Sequence, residues 1–393
     1  MNVPFFRPEL TEAEIAEVVD TLRSGWLTSG PRVKRFEEDF CSAVGAPHAI
    51  AVNSCTAALH LAVEALGLKK GQSVLVPTMT FAATAEIVRY AGAIPVLVDC
   101  DPVTLNMDLQ DAERRIAAAE EPVGIIPVHV GGLMMDMDAV ADFARRHNLW
   151  VVEDAAHSLP ASWRRADGSW QRSGEGTAAV TCFSFYANKT VTTGEGGMAT
   201  TSDAALAERM RMMSLHGLSH DAWGRFTKGG SWDYRILAPG FKYNLTDMAA
   251  ALGIHQLARA EEMRKDRERL AMRYLEAFSS LEELELPPVP GDRIHSWHLF
   301  PVKLRPAKLE IDRNGFIAEL KEAGVGCSVH WRPLHLHPYY AETFGWKAED
   351  LPAASAVWER IVTLPLFPAM TELEHEYVVA VIQRICERYR RRA

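Results

Sequence analysis

AVTCFSFY at 179–186 is an apolar, β-rich run that leads into Lys189 and then into the glycine-bearing turn GEGG at 194–197. EDAAH at 153–157 closes an earlier run of the same kind. Outward from these, short apolar runs at 48–53, 73–76, 94–99, 123–129, 149–154 and 197–201 alternate with segments of helical period at 56–66, 82–90, 109–119, 137–147 and 204–215. This alternation predicts a mostly parallel, mixed sheet covered by helices, an α/β domain. In such sheets ligands sit beyond the carboxyl ends of the strands. Ser54, Phe81, Asp154, Ser184 and Lys189 all fall at or near such ends.

After Gly217 the alternation stops. The stretch 219–239 is polar, glycine-bearing and aromatic, and reads as a hinge; 244–278 reads as one or two long helices. Strand-like 298–304 and 326–331 with helical 312–323 and 372–390 make an α+β pattern. We therefore expect a large cofactor-binding α/β domain over 1–250 and a smaller C-terminal α+β domain over 251–393.

Bulk properties narrow the function. A hydrophobic share of 48% with 24% charged residues describes a globular protein with no long disordered tail. The net charge of −9 argues against nucleic acid as a partner, which needs clustered positive charge. The one basic run, RICERYRRR at 384–392, reads as a solvated helix end before an anion or membrane contact. Six scattered cysteines lack metal-binding or redox spacing, so no metal site is expected and buried thiols suit a reducing cytoplasm. MNVPFFRPELTEAE at the start carries acids where a signal peptide needs an apolar core, and no stretch is apolar for long enough to span a bilayer. The expectation is a cytosolic protein without membrane contact.

The chemistry lies in three groups. A lysine held where a strand gives way to a loop can form a Schiff base with an aldehyde, and a buried aspartate can hold a proton on a pyridine nitrogen. Lys189 and Asp154 together point to pyridoxal phosphate. Ser54, Cys55 and Thr56 open a helix after a strand, so backbone N–H groups and hydroxyls would face an anion, although a serine there also serves as a plain N-cap. Ser184 is a second hydroxyl within reach of a phosphate, or simply a strand-face serine. Phe81 could stack on a ring or pack in the core. His157 could bond a phenolic oxygen or cap a turn.

With these residues assembled, the chain resembles the DegT/DnrJ/EryC1/StrS family of pyridoxal-phosphate-dependent nucleotide-sugar aminotransferases. The resemblance runs nearly end to end and is strongest at EDAAH, at FSFYANKTVTTGEGG (183–197), FKYNLTD (241–247), WHLF (297–300) and VHWRPLHLHPYY (329–340). It implies fold type I, with Lys189 bearing the Schiff base, Asp154 on the pyridine nitrogen, Phe81 stacked, and Thr56 with Ser184 on the phosphate. It also implies a homodimer in which Asn244 crosses to the partner's cofactor phosphate, and a sugar-nucleotide cleft lined by Thr28 and by the His330 region. LHGLSHDAW at 215–223 and APGFKYNL at 238–245 are similar to members that aminate C4 of a 4-keto sugar for cell-surface glycan or lipopolysaccharide, with L-glutamate as donor. PVHVGG at 127–132 departs from relatives, which puts the shape of the donor or sugar pocket in question. Arg7, Arg225 and Arg332 are candidates for the diphosphate, with solvation at the surface the ordinary reading of each. The rival readings are a related enzyme acting on an amino-cyclitol or aminobenzoate-type substrate, and a non-catalytic regulatory member.

Overall fold

A computed structural model describes residues 1–219 and 234–391. Its strands in the first half are β1 (His48–Val52), β2 (Ser73–Pro77), β3 (Ile94–Val98), β4 (Pro122–Ile125), β5 (Trp150–Asp154), β6 (Ser162–Arg164), β7 (Trp170–Arg172), β8 (Val180–Ser184) and β9 (Gly197–Thr201). Seven of them form one sheet in the order β1-β9-β8-β5-β4-β2-β3. β9 runs against both of its neighbours, and the pairs from β8 to β3 are parallel. All five residues of β2 and of β9 are buried. Helices cover both faces of such strands, which is why they read as continuous apolar runs.

The helices expected between the strands form at Cys55–Ala65, Ala83–Tyr90, Leu109–Ile116, Met137–Arg146 and Ala204–Met213. The strand expected over 123–129 is shorter. Pro127 has no N–H for the ladder, and the chain turns at once into the 3-10 segment Val130–Gly132.

Two helices, Glu12–Ser24 and Pro31–Val44, precede the sheet where the sequence reading assigned none. Their signals were present: Thr11 and Glu14 form a capping box, and Gly25 ends the first helix in the left-handed region at φ 74°. The Asp247 carboxylate accepts from Val33 N–H at 2.9 Å and Arg32 N–H at 3.2 Å, tying the start of the second helix to helix Asp247–Ala258. The long helical stretch thus divides into Asp247–Ala258 and Ala260–Phe278.

In the C-terminal part, β10 (Leu284–Glu285), β12 (Phe300–Leu304) and β13 (Ile361–Leu364) make an antiparallel sheet, while β11 (Arg293–Ile294) pairs with β6. Tyr274, Phe278, Phe300, Phe316 and Phe367 are fully buried against it, and Val3 from the N-terminus joins the same cluster. The strand expected at 326–331 does not form. Ser328 makes a single bridge to Thr363, after which His330 and Trp331 leave the sheet to line a cavity. In the basic run, Arg388 and Arg390 pair with Glu319 and Glu283 beside helix Glu372–Tyr389, which agrees with a solvated helix end. Among the described residues no helix is long and apolar enough to cross a membrane. Most of the expected hinge, 220–233, lies outside the described residues, as do Arg225 and part of the 215–223 motif.

Gly197 is where β9 passes the turn after β1. A Cβ there would stand 2.4 Å from the Ser54 carbonyl carbon and 2.6 Å from the Cys55 nitrogen. Both are backbone atoms that cannot rotate aside. Gly197→Ala is expected to cost about 1–3 kcal/mol, read as a lower urea midpoint. An unchanged midpoint would show that the two segments are not packed as described.

Candidate active site

β1 and β8 both run against β9, so they share one direction and their carboxyl ends lie on one edge with that of β5. Beyond this edge is a cavity of about 450 Å³. Asp154 closes β5 at its floor. Its Oδ2 accepts from the Thr84 hydroxyl at 2.8 Å and its Oδ1 from the Ala156 N–H at 3.2 Å, while Thr84 is held by the Thr80 hydroxyl at 2.8 Å. Burial pushes this carboxyl above its ordinary range, and the Thr84 and Ala156 bonds and the charge of Lys189 pull it back. A buried acid held in this way is completed by a cationic donor.

Lys189 also lines the cavity. Its backbone N–H bonds the Tyr186 carbonyl at 2.9 Å, and the Thr190 hydroxyl anchors the next residue to the Leu159 carbonyl. The side chain keeps some contact with solvent through the cavity, but protein surrounds the amine on its other sides. Burial lowers its pKa from 10.5 to about 8, against the pull of Cys55 and Asp154. Burial also pushes the Cys55 thiol far up, so it stays protonated. Asp154 is therefore the anion that acts on the amine.

Ser54, Cys55, Thr56 and Ser184 line the same cavity. Ser54 is the N-cap of helix Cys55–Ala65, its Oγ accepting from Ala57 N–H at 3.1 Å. The plain capping role is thus real for this hydroxyl. The first N–H groups of a helix have no partner within it, so the turn still presents donors and a positive dipole end. Phe81 also faces the cavity and is 62% exposed, which rules out the core-packing alternative.

His157 lines the cavity with its Nδ1 accepting from Gly131 N–H at 3.2 Å, so its own proton sits on Nε2. Its ring stacks on Trp331 at 5.1 Å and lies 4.3 Å from the ring of His298. The unusual 127–132 segment builds this corner: Gly131 supplies that donor, and a Cβ on Gly132 would strike Ser296 Oγ at 1.8 Å. His330 reaches the cavity with Nδ1 2.9 Å from the Thr363 hydroxyl; burial, then the charge of Lys189, lowers its pKa to about 4.

Thr28 and Asn244 do not reach this cavity. Asn244 Nδ2 donates to Ser29 Oγ at 2.8 Å and its Oδ1 accepts from Lys242 Nζ at 2.5 Å, while the carbonyl of exposed Thr28 accepts from Asp247 N–H. Arg7 is bound to Glu374 at 2.9 Å, and Arg332 to the Leu336 carbonyl at 2.6 Å. The sequence reading missed Thr84, Trp331 and His298. Thr84 could have been found as a hydroxyl in the first turn of the helix that follows Phe81. Nothing in the local pattern at 297–300 points a ring at Lys189, and at 329–331 only His330 had been placed on the cleft, by resemblance.

The residues fit pyridoxal phosphate: an anion-binding helix end, a buried acid short of a cation, and an amine of lowered pKa in one cavity. Residues 8–383 match the DegT/DnrJ/EryC1/StrS aminotransferase family model. Over 384 residues the chain is 43% identical to the spore coat polysaccharide biosynthesis protein SpsC of Bacillus subtilis, spanning 98% of this chain and 97% of that protein. Spr1654 of Streptococcus pneumoniae, solved in its PLP-form, superposes with a TM-score of 0.88 at 34% identity over 99% of both chains. The sugar aminotransferase CalS13 of Micromonospora echinospora superposes with a TM-score of 0.84 at 29% identity, over 97% of this chain and 99% of that one. The chain belongs to the DegT/DnrJ/EryC1/StrS aminotransferase family, with the mixed, mostly parallel sheet of fold type I and pyridoxal phosphate as its cofactor.

Proposed function

We propose that the protein moves an amino group from L-glutamate to the C4 ketone of a nucleotide-linked sugar, within the making of a cell-surface glycan. One observation carries the transaminase reading: Lys189 presents an amine of lowered pKa in the cavity that Asp154 closes. Pyridoxal phosphate, when bound, supplies an aldehyde and an electron-withdrawing ring. Asp154, its carboxylate held by Thr84 and Ala156, would accept the N–H of that ring and keep it cationic. The helix end at Ser54–Thr56 and the Ser184 hydroxyl hold the phosphate. Phe81 would cover a face of the ring, and His157 would offer its Nε2–H to the phenolic oxygen. Lys189 removes the proton from the donor's Cα and, in the second half, returns one to the sugar carbon that receives nitrogen.

The SpsC likeness supports a polysaccharide setting, and the 215–223 and 238–245 motifs support C4. Asn244 is absent from its own chain's cavity, which supports a homodimer in which it serves the partner's phosphate. Thr28 is joined to the same corner through Ser29 and is proposed to cross with it. Six free cysteines support a cytoplasmic setting.

The purified protein is expected to show a visible cofactor band that L-glutamate bleaches and that one of a panel of 4-keto and 3-keto nucleotide sugars restores. Restoration by 3-keto sugars alone would overturn the C4 assignment, and restoration by none would overturn the substrate class. Lys189→Ala should abolish both half reactions with the far-ultraviolet circular dichroism unchanged; retained turnover would sink the role given to this amine.

A lysine of lowered pKa binds fewer protons folded than unfolded between about pH 8 and 10.5. Its penalty is therefore fully present below pH 8 and fades as pH rises through that window. Cofactor-free Lys189→Met is expected to be more stable than the wild type at pH 7 by about 1–3 kcal/mol, a value trimmed because solvent reaches the amine. The gain should shrink towards pH 10.5 in urea titrations. A gain independent of pH would contradict the lowered pKa.

A further inference from the structure

His298 has no part in the chemistry above, yet it lines the same cavity and is only 4% exposed. Neither of its ring nitrogens meets a hydrogen-bond partner among the described residues. Leaving two polar atoms of a buried ring unmatched is costly, and the fold holds the ring there firmly. Trp297, fully buried, sits in the left-handed region at φ 52°, unusual for a bulky side chain. Its ring lies on His295 at 4.0 Å, and its backbone N–H donates to His295 Nδ1 at 2.8 Å. The buried Arg267 guanidinium bonds the Leu366 carbonyl at 2.7 Å and the Trp297 and His298 carbonyls at 3.4 and 3.5 Å. Strained backbone fixed on both sides around an unmatched polar ring is a pattern that gathers at ligand sites.

The ring lies 4.3 Å from that of His157 and lines the cavity together with Lys189 and His330. Burial, and then the neighbouring cations Lys189 and Arg267, keep it neutral. A neutral imidazole carries one N–H and one lone pair. A carboxylate, as on the amino donor, would match only the N–H. A hydroxyl both gives and accepts, so a polyhydroxylated ligand matches both nitrogens. We propose that His298 is a sugar-binding residue of this site, its two ring nitrogens exchanging hydrogen bonds with hydroxyls beside the carbon that takes up the amino group. This deepens, and rests on, the sugar transaminase reading.

The test separates the two half reactions in His298→Leu and His298→Gln. Bleaching of the visible band by L-glutamate should change by no more than about twofold in either. Restoration of the band by the keto nucleotide sugar that serves the wild type best should need about 10- to 100-fold more sugar in His298→Leu, with much of the loss recovered in His298→Gln, which keeps a donor and an acceptor. Calorimetric titration of that sugar into borohydride-reduced holoprotein, in which turnover is blocked, should show the same loss of affinity. The sugar-free melting temperature of His298→Leu should equal or exceed that of the wild type, because an unmatched polar ring has been removed. Unchanged sugar affinity, or equal loss of both half reactions, would overturn the proposal. A wild type that answers to no keto nucleotide sugar would overturn the underlying reading first, and that is seen without any variant.

Discussion

Burial acts on Asp154 and Lys189 in opposite senses, and the architecture is arranged around that opposition. Taken out of water, the acid is driven towards its protonated form and the amine towards its free form. Thr84 and the Ala156 N–H then hold the carboxylate from the protein side, leaving it to be completed by a cationic ring. The Cys55 thiol, kept protonated by its own burial, adds no competing charge. The result is a proton-accepting amine in one cavity with a buried acid that a cationic partner would complete.

The sheet makes this possible by its one reversed strand. Because β9 runs against both β1 and β8, those two strands deliver Ser54 and Lys189 to the same edge as Asp154. The turn at Ser54–Cys55 can lie against β9 only because Gly197 has no side chain. The C-terminal part then closes the cavity with rings rather than charges. His298, His330 and Trp331 arrive on segments pinned by Arg267, by Thr363 and by stacking on His157. Their burial leaves the imidazoles neutral, so they offer hydrogen bonds without adding positive charge beside Lys189.

Legibility followed locality. The strands of the large sheet were visible because burial on both faces writes a largely apolar run, and their helices because four of the five start on a capping side chain, Ser54, Asp108, Asp136 or Asp203. The 123–129 run was overextended, since apolar character continues past the point where Pro127 ends the ladder. The 326–331 run failed as a strand because two of its large side chains are spent on the cavity. The N-terminal helices went unread although Thr11 and Glu14 spell a capping box. In the site, residues next to strand ends were found, and Thr84, His298 and Trp331 were not, because their partners lie far away in the chain.

The sequence by itself determined the kinds of chemistry present and their order along the strand ends: a lysine, an acid, a hydroxyl-bearing helix start and the glycines between them. These are local properties, set by hydrophobic period, capping and turn residues over a few positions. Only the tertiary structure decided which state each group takes. The Nε2–H tautomer of His157 comes from Gly131, the lowered pKa of Lys189 from its enclosure, and the cavity-facing exposure of Phe81 from packing around it. Proton affinity and hydrogen-bond completion depend on the dielectric surroundings and on partners distant in sequence, and those exist only once the chain has folded.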